Sequence, residues 1–222
     1  MMKKKSNLKK KEMELDKLTD KYMSLQEKGN IVCSVVVAKQ ALQLAEKVFG
    51  PDHLNVACAQ NSLGIMHAVQ NKYVEAEMYF KRSLEIHDKV VQTSKKPVDV
   101  APVLINLALL YRTHGQYGLA EPLYKRALAI TLCTYGSWNI GQAPILYDLG
   151  ELEKAQKNYV KAEEYFKSAL DLWKMDSGPD TPNVALNLES MADIYRKTGR
   201  EKDAEKLDKR IAAIRAKESV KQ

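Results

Sequence analysis

Four stretches of the chain align without a gap: NKYVEAEMYFKRSLEI (71–86), GQYGLAEPLYKRALAI (115–130), KNYVKAEEYFKSALDL (157–172) and GREKDAEKLDKRIAAI (199–214). A weaker copy, GNIVCSVVVAKQALQL (29–44), precedes them. One column of the alignment holds Ser34, Ala76, Ala120, Ala162 and Ala204. A second holds Ala41, Ser83, Ala127, Ala169 and Ile211. Successive copies lie 42, 44, 42 and 42 residues apart. Self-similarity at such a period marks a repeat array, in which each unit is one supersecondary element.

Each copy has a partner segment upstream: AQNSLGIMHAV (59–69), LINLALLYRT (104–113), ILYDLGELEKA (145–155) and LESMADIYRK (188–197). Their shared small-residue column is Gly64, Ala108, Gly150 and Ala192, each 19 residues ahead of the second column above. The earliest copy carries Tyr22 there, with Leu15, Leu18 and Leu25 around it. Both segments space apolar residues by three and four, as a helix with one buried face does. Small residues in fixed columns let two antiparallel helices approach closely. Each pair leaves an apolar face that only the next pair can cover, so the expected fold is all-α, a right-handed α-solenoid of helical hairpins.

The joints agree. Helices are expected to stop before Gly50-Pro51-Asp52, Gly136-Ser137 and Gly178-Pro179-Asp180, because Gly closes a helix in left-handed geometry and Pro cannot continue one. Thr181-Pro182 reads as a cap followed by Pro in the first turn. Within the hairpins, Gly29, Asn71, Gly115 and Gly199 occupy the tight turn; Lys157 takes that place in the fourth copy, where a strained turn is expected. Pro144 should kink or delay its helix. Trp138 is expected to pack into the neighbouring hairpin and Trp173 under a loop.

The expected organisation is a basic, disordered start (1–10), a degenerate first repeat (11–49), and repeats at 50–92, 93–135 and 136–177. A fifth repeat with a capping helix (178–217) and a flexible tail (218–222) complete it.

Of 222 residues 45% are apolar, enough for a sizeable core. Three cysteines without a CxxC unit argue against a disulfide-stapled secreted fold. The lysines of 3–5 are followed by LKKKEMELDKL, not by the apolar run of a signal peptide. No stretch approaches a membrane span. A cytoplasmic location is expected.

The net charge of +7 lies at the ends: residues 1–30 hold nine Lys against five Asp/Glu, and residues 196–222 hold ten Lys/Arg against five. Such ends solubilise an array or attract acidic partners. Weak nucleic-acid binding through these basic ends is a third function class; few aromatics accompany the charge, so nucleic acid is not the expected partner.

The four histidines share no ligand spacing, and no GxSxG, Walker or HExxH motif occurs. Neither a catalytic residue, a cofactor nor a metal site is expected. The carboxylates Glu151, Glu153, Glu163 and Glu164 are interleaved with Lys154, Lys157, Lys161 and Lys167, as on a solvated helix surface.

The stretches DVAPVLINLALLYRTHGQYGLAEPLYKRALAI, GPDTPNVALNLESMADIYRKTGR and GPDHLNVACAQNSLG resemble the 42-residue tetratricopeptide subtype found in kinesin light chains. The C-terminal sequence looks most like the ending of bacterial arrays of this class. The resemblance covers about residues 30–215. It implies a non-catalytic protein-interaction module or adaptor, with a concave groove lined by the first helix of each repeat and receiving a peptide of an unidentified partner.

The light-chain subtype carries paired Asn in that helix. The matching pairs here are Asn61-Ser62, Ile105-Asn106, Tyr147-Asp148 and Glu189-Ser190, so only Asn61 keeps the first Asn. The groove positions implied by this register are Cys58, Asn61, Ile65, Ile105 and Leu109, then Arg112, Tyr147, Glu151 and Lys154, and finally Glu189, Asp193 and Arg196. Arg112 and Arg196 read either as favourable charges at a helix C-terminus or as groove residues that hold a carboxylate. A second function class is a self-associating scaffold, with the apolar IVCSVVVA run (31–38) of the first repeat as its surface.

Overall fold

Positive backbone φ occurs at the four turn residues named from sequence, Gly29 (67°), Asn71 (59°), Gly115 (72°) and Gly199 (76°), and at Lys157 (64°). Lys157 therefore adopts the left-handed conformation that costs an L-residue about 1–2 kcal/mol, whereas Asn tolerates it. A computed structural model describes residues 2–93 and 98–219 of the chain. Among these residues it contains ten helices and no strand: α1 (Met2–Glu27), α2 (Ile31–Phe49), α3 (Leu54–Val69), α4 (Tyr73–Thr93), α5 (Ala101–Thr113), α6 (Tyr117–Tyr135), α7 (Gln142–Ala155), α8 (Tyr159–Ser177), α9 (Pro182–Lys197) and α10 (Glu201–Ser219). The all-α class is as expected.

Two boundaries differ from expectation. Helix α1 begins at Met2, so the charged start expected to lack order (1–10) is helical from its second residue. Lys and Glu are good helix formers, so charge alone does not keep such a segment from the helix. At the other end α10 runs through Glu218 and Ser219; the remainder of the 218–222 tail lies outside the described residues, as do residues 94–97 of the third repeat.

The chain divides into two units, residues 1–110 and 111–222. In the first, α1 packs on α2, α2 on α3 and α3 on α4; in the second, α6 packs on α7, α7 on α8, α8 on α9 and α9 on α10. The small-residue columns face these contacts: Ser34, Ala76, Ala120, Ala162 and Ala204 are all fully buried. Where the first helix carries Gly, the second helix fills the space with an aromatic ring. A Cβ on Gly64 would come within 2.5 Å of the Phe80 ring, and one on Gly150 within 2.6 Å of the Phe166 ring. Burial of each ring is worth about 1.5–3 kcal/mol.

Helix ends are set locally. Gly50, Gly136 and Gly178 close α2, α6 and α8, each donating its backbone N–H to the carbonyl four residues back. The Thr181 hydroxyl accepts from the Val184 amide at 3.4 Å, with Pro182 opening α9. Pro144 delays its helix instead of kinking it. Helix α7 starts eight residues ahead of Gly150, whereas α3 and α9 start ten ahead of Gly64 and Ala192. Pro144 thus falls in the first turn, where an amide has no intrahelical acceptor to lose. Pro102 occupies the same column, and α5 likewise starts late, at Ala101.

A clamp recurs at two joints. The Arg82 guanidinium donates to the Pro51 carbonyl (3.2 Å) and to Asp52 (2.9 Å), and Lys89 reaches Asp52 at 3.2 Å. Arg210 donates in the same way to the Pro179 carbonyl (3.3 Å) and Asp180, and Lys217 reaches Asp180 at 2.6 Å. Each clamp ties a joint to the second helix of its own hairpin. At the equivalent places the fourth repeat carries Trp138, Ser168 and Met175. Trp138 is 71% exposed, contrary to the burial expected for it, because it stands where the other joints hold a solvated Asp. Trp173 is buried, its ring 5.8 Å from that of Tyr147.

Candidate functional site

Three of every seven or so residues on a first helix face its own partner helix, and the positions between them face away. In the N-terminal unit those positions are Cys58, Asn61 and Ile65 on α3 and Ile105 and Leu109 on α5. Cys58 is exposed, Asn61, Ile65 and Ile105 are half-buried, and Leu109 is 37% exposed. The register brings Asn61 and Asn106 together: the Asn106 amide donates to the Asn61 side-chain carbonyl at 3.0 Å. Asn61 is thereby oriented by the neighbouring repeat. None of these five is a charged residue type.

The C-terminal unit is different in kind. Arg112 is only 20% exposed and pairs with Asp148 at 3.4 Å. The Tyr124 hydroxyl is buried beside both groups. Burial raises the Asp148 carboxyl to about 6, against the pull of the Arg112 charge, and burial also pushes the Tyr124 hydroxyl up. Next along, Ser190 donates to Glu151 at 2.6 Å and lies 3.2 Å from the Tyr147 hydroxyl. Lys154 donates to Glu151 at 2.6 Å and stands 3.7 Å from Asp193. At the end of the unit Arg196 pairs with Asp208, Arg215 with Glu189, and Lys197 with Asp193 at 2.8 Å.

The polar residues of this unit expected to face a ligand are therefore already engaged by other side chains of the chain. Arg112 lies in the last turn of α5, as the first reading has it, and its guanidinium pairs with the Asp148 carboxylate of α7. The column that sequence reasoning named only as the second members of the pairs, and not as groove positions, is Ser62, Asn106, Asp148 and Ser190. It is polar in every repeat, and that uniformity was the available signal. Among the described residues no group of His, Cys, Asp and Glu is placed to hold a metal ion, and no helix is long and apolar enough to cross a membrane.

Family models described as tetratricopeptide repeat match residues 25–89 and 141–217, and a second model of the same description matches residues 101–136. The chain belongs to the tetratricopeptide repeat family. Solved repeat structures superpose on most of it. BtubC from P. vanneervenii gives a TM-score of 0.78 at 19% identity, covering 92% of this chain and 80% of that one. A putative kinesin light chain from Podosopora anserina, built of nearly identical repeats, gives 0.75 at 18% identity, covering 93% and 96%. These establish an all-α solenoid of tetratricopeptide-type hairpins. Among curated proteins, a clustered mitochondria protein homolog of Aspergillus clavatus is 26% identical over 129 residues, 58% of this chain. The chain spans about 10% of the length of that relative. Tetratricopeptide repeats are in general non-catalytic modules of protein–protein interaction.

Proposed function

We propose that this tetratricopeptide chain is an adaptor that holds a peptide segment of a protein partner along the first-helix faces of its N-terminal unit. One observation carries the reading. Ile65, Ile105 and Leu109 stay partly exposed beside an Asn61 amide already oriented by Asn106. Apolar anchors next to a fixed amide suit a peptide, whose backbone needs a donor and acceptor at a set place. Glu151, Lys154 and Asp193 are paired with one another, Glu189 with Arg215, Arg196 with Asp208, and Tyr147 lies against Ser190, which leaves less of them for a ligand.

The test is selection of a displayed random peptide library on the immobilised chain. Enriched peptides should lose binding to Leu109→Glu and retain it on Val160→Glu, an exposed site of α8. Failure of any peptide to enrich, or equal binding to both variants, would remove this reading.

A second reading has its own observation. Val32 and Val36 of α2 are 74% and 53% exposed, and Val74 and Met78 of α4 repeat the pair 42 residues on. Such a stripe supports self-association of the chain through the N-terminal repeats. Sedimentation of the wild type should then show dimers that Val36→Lys abolishes; monomer at all concentrations would dispose of it.

A further inference from the structure

The first hairpin reverses the packing rule of the second. Gly64 on α3 faces Phe80 on α4, but 42 residues earlier the large residue is on the first helix, Tyr22, and the small one on the second, Ala38. A ring rooted on α1 does not fill the space that a ring rooted on α2 would. A cleft of about 230 Å³ opens there between α1, α2 and α3. Its floor is apolar, with Leu15, Ala38, Ala41 and Ala59 all buried. Tyr22 is only 7% exposed and also lines the cleft. Its hydroxyl lies close to Ser62, yet no hydrogen bond of good geometry joins it to any described residue. With essentially no accessible surface, that oxygen belongs to the wall of the cleft and not to its open face.

Asp16 stands exposed at the rim. Among the described residues it has neither an ion pair nor a hydrogen bond, in contrast to the groove carboxylates of the C-terminal unit. The cleft is smaller than the roughly 300–1,000 Å³ of drug-sized ligand sites, which leaves a slot with room for about one side chain. An apolar floor beside a free carboxylate matches a chain with an aliphatic stem and a cationic head, which lays its methylenes on apolar surface and keeps its charge at the edge. We propose that this slot receives a lysine or arginine side chain of the bound peptide, its stem over Ala38 and Ala41 and its head at the Asp16 carboxylate. The inference rests on the peptide-binding reading above and names the residue that the N-terminal end of that face selects.

The test uses ¹⁵N-labelled full chain titrated with N-acetyl-arginine amide and, as the uncharged stem, N-acetyl-norleucine amide. The arginine probe should shift the amides of Thr19, Tyr22 and Ser62 saturably. The norleucine probe and the Asp16→Asn variant should each bind about tenfold more weakly, the loss of one charge-assisted hydrogen bond. Tyr22→Phe, which keeps the ring, should leave the affinity of the arginine probe unchanged. Equal affinity for the two probes, indifference to Asp16→Asn, or shifts elsewhere would overturn the proposal. Library peptides that depend on Leu109 but not on Asp16 would overturn the slot while leaving the peptide face standing. Binding of the arginine probe with no peptide enriched would sink the peptide face instead.

Discussion

Gly64 leaves its face of α3 bare, and the ring of Phe80 occupies the space a Cβ would need, with 2.5 Å between them. The aromatic payload of the hairpin thus depends on an absent methyl group. Gly64→Ala should destabilise the N-terminal unit by about 1–3 kcal/mol through overpacking, although Ala is the better helix former. Adding Phe80→Leu should return part of that loss. Urea unfolding of the two variants checks it; a neutral Gly64→Ala would mean that the ring moves aside freely.

The Arg112–Asp148 pair predicts a pH dependence of opposite sign to that of an ordinary ion-paired carboxylate. Burial raises Asp148 to about 6, above its unfolded value of about 3.9. The folded chain therefore holds a proton that the unfolded chain releases. The contribution is fully present below about pH 4 and is lost as pH rises through about 6, with an upper limit of about 2–3 kcal/mol. Asp148→Asn should remove this slope. Parallel pH profiles of wild type and variant in urea unfolding would contradict it.

His67 should act in the opposite direction in the N-terminal unit. Both its ring nitrogens are buried without a partner, and burial lowers its pKa. A depressed histidine disfavours protonation in the folded state, so stability is lost as pH falls through the unfolded value of about 6.5. Hydrogen exchange at pH 5 and pH 7.5 should show protection of α3 falling at the lower pH, less so in His67→Gln. Unchanged protection would count against it.

Lys157 sits at φ 64° where the other hairpins use Gly or Asn. Lys157→Gly should stabilise the C-terminal unit by about 0.5–1 kcal/mol, the relief of left-handed strain less the added freedom of the unfolded chain. A lower midpoint of thermal unfolding would show that the lysine side chain offsets the strain.

The two tryptophans offer a check on burial itself. Trp138 stands in solvent and Trp173 packs beside Tyr147. Emission of Trp138→Phe should be blue-shifted and resistant to acrylamide, and that of Trp173→Phe red-shifted and readily quenched. Similar quenching in both would refute the exposed joint.

Periodicity made the helices, the hairpin turns and the buried columns legible, because each is enforced within one repeat: Gly199 must accept positive φ, and Ala162 must be small wherever that helix pair meets. Lys157 was legible for the same reason, as a residue at a place whose geometry the other copies define. The pairings were not. That Arg112 spends its charge on Asp148, that Ser190 reaches Glu151, and that Tyr22 and Ala38 exchange sizes and leave a slot all depend on which side chains of different helices come within 3–4 Å. The sequence of this protein determined the array and its register through local periodic constraints. Only the tertiary structure decided which polar residues are used up internally and which, like Asp16, stand without an ion pair, because charge pairing and cavity shape are set by distances across helices that no single repeat contains.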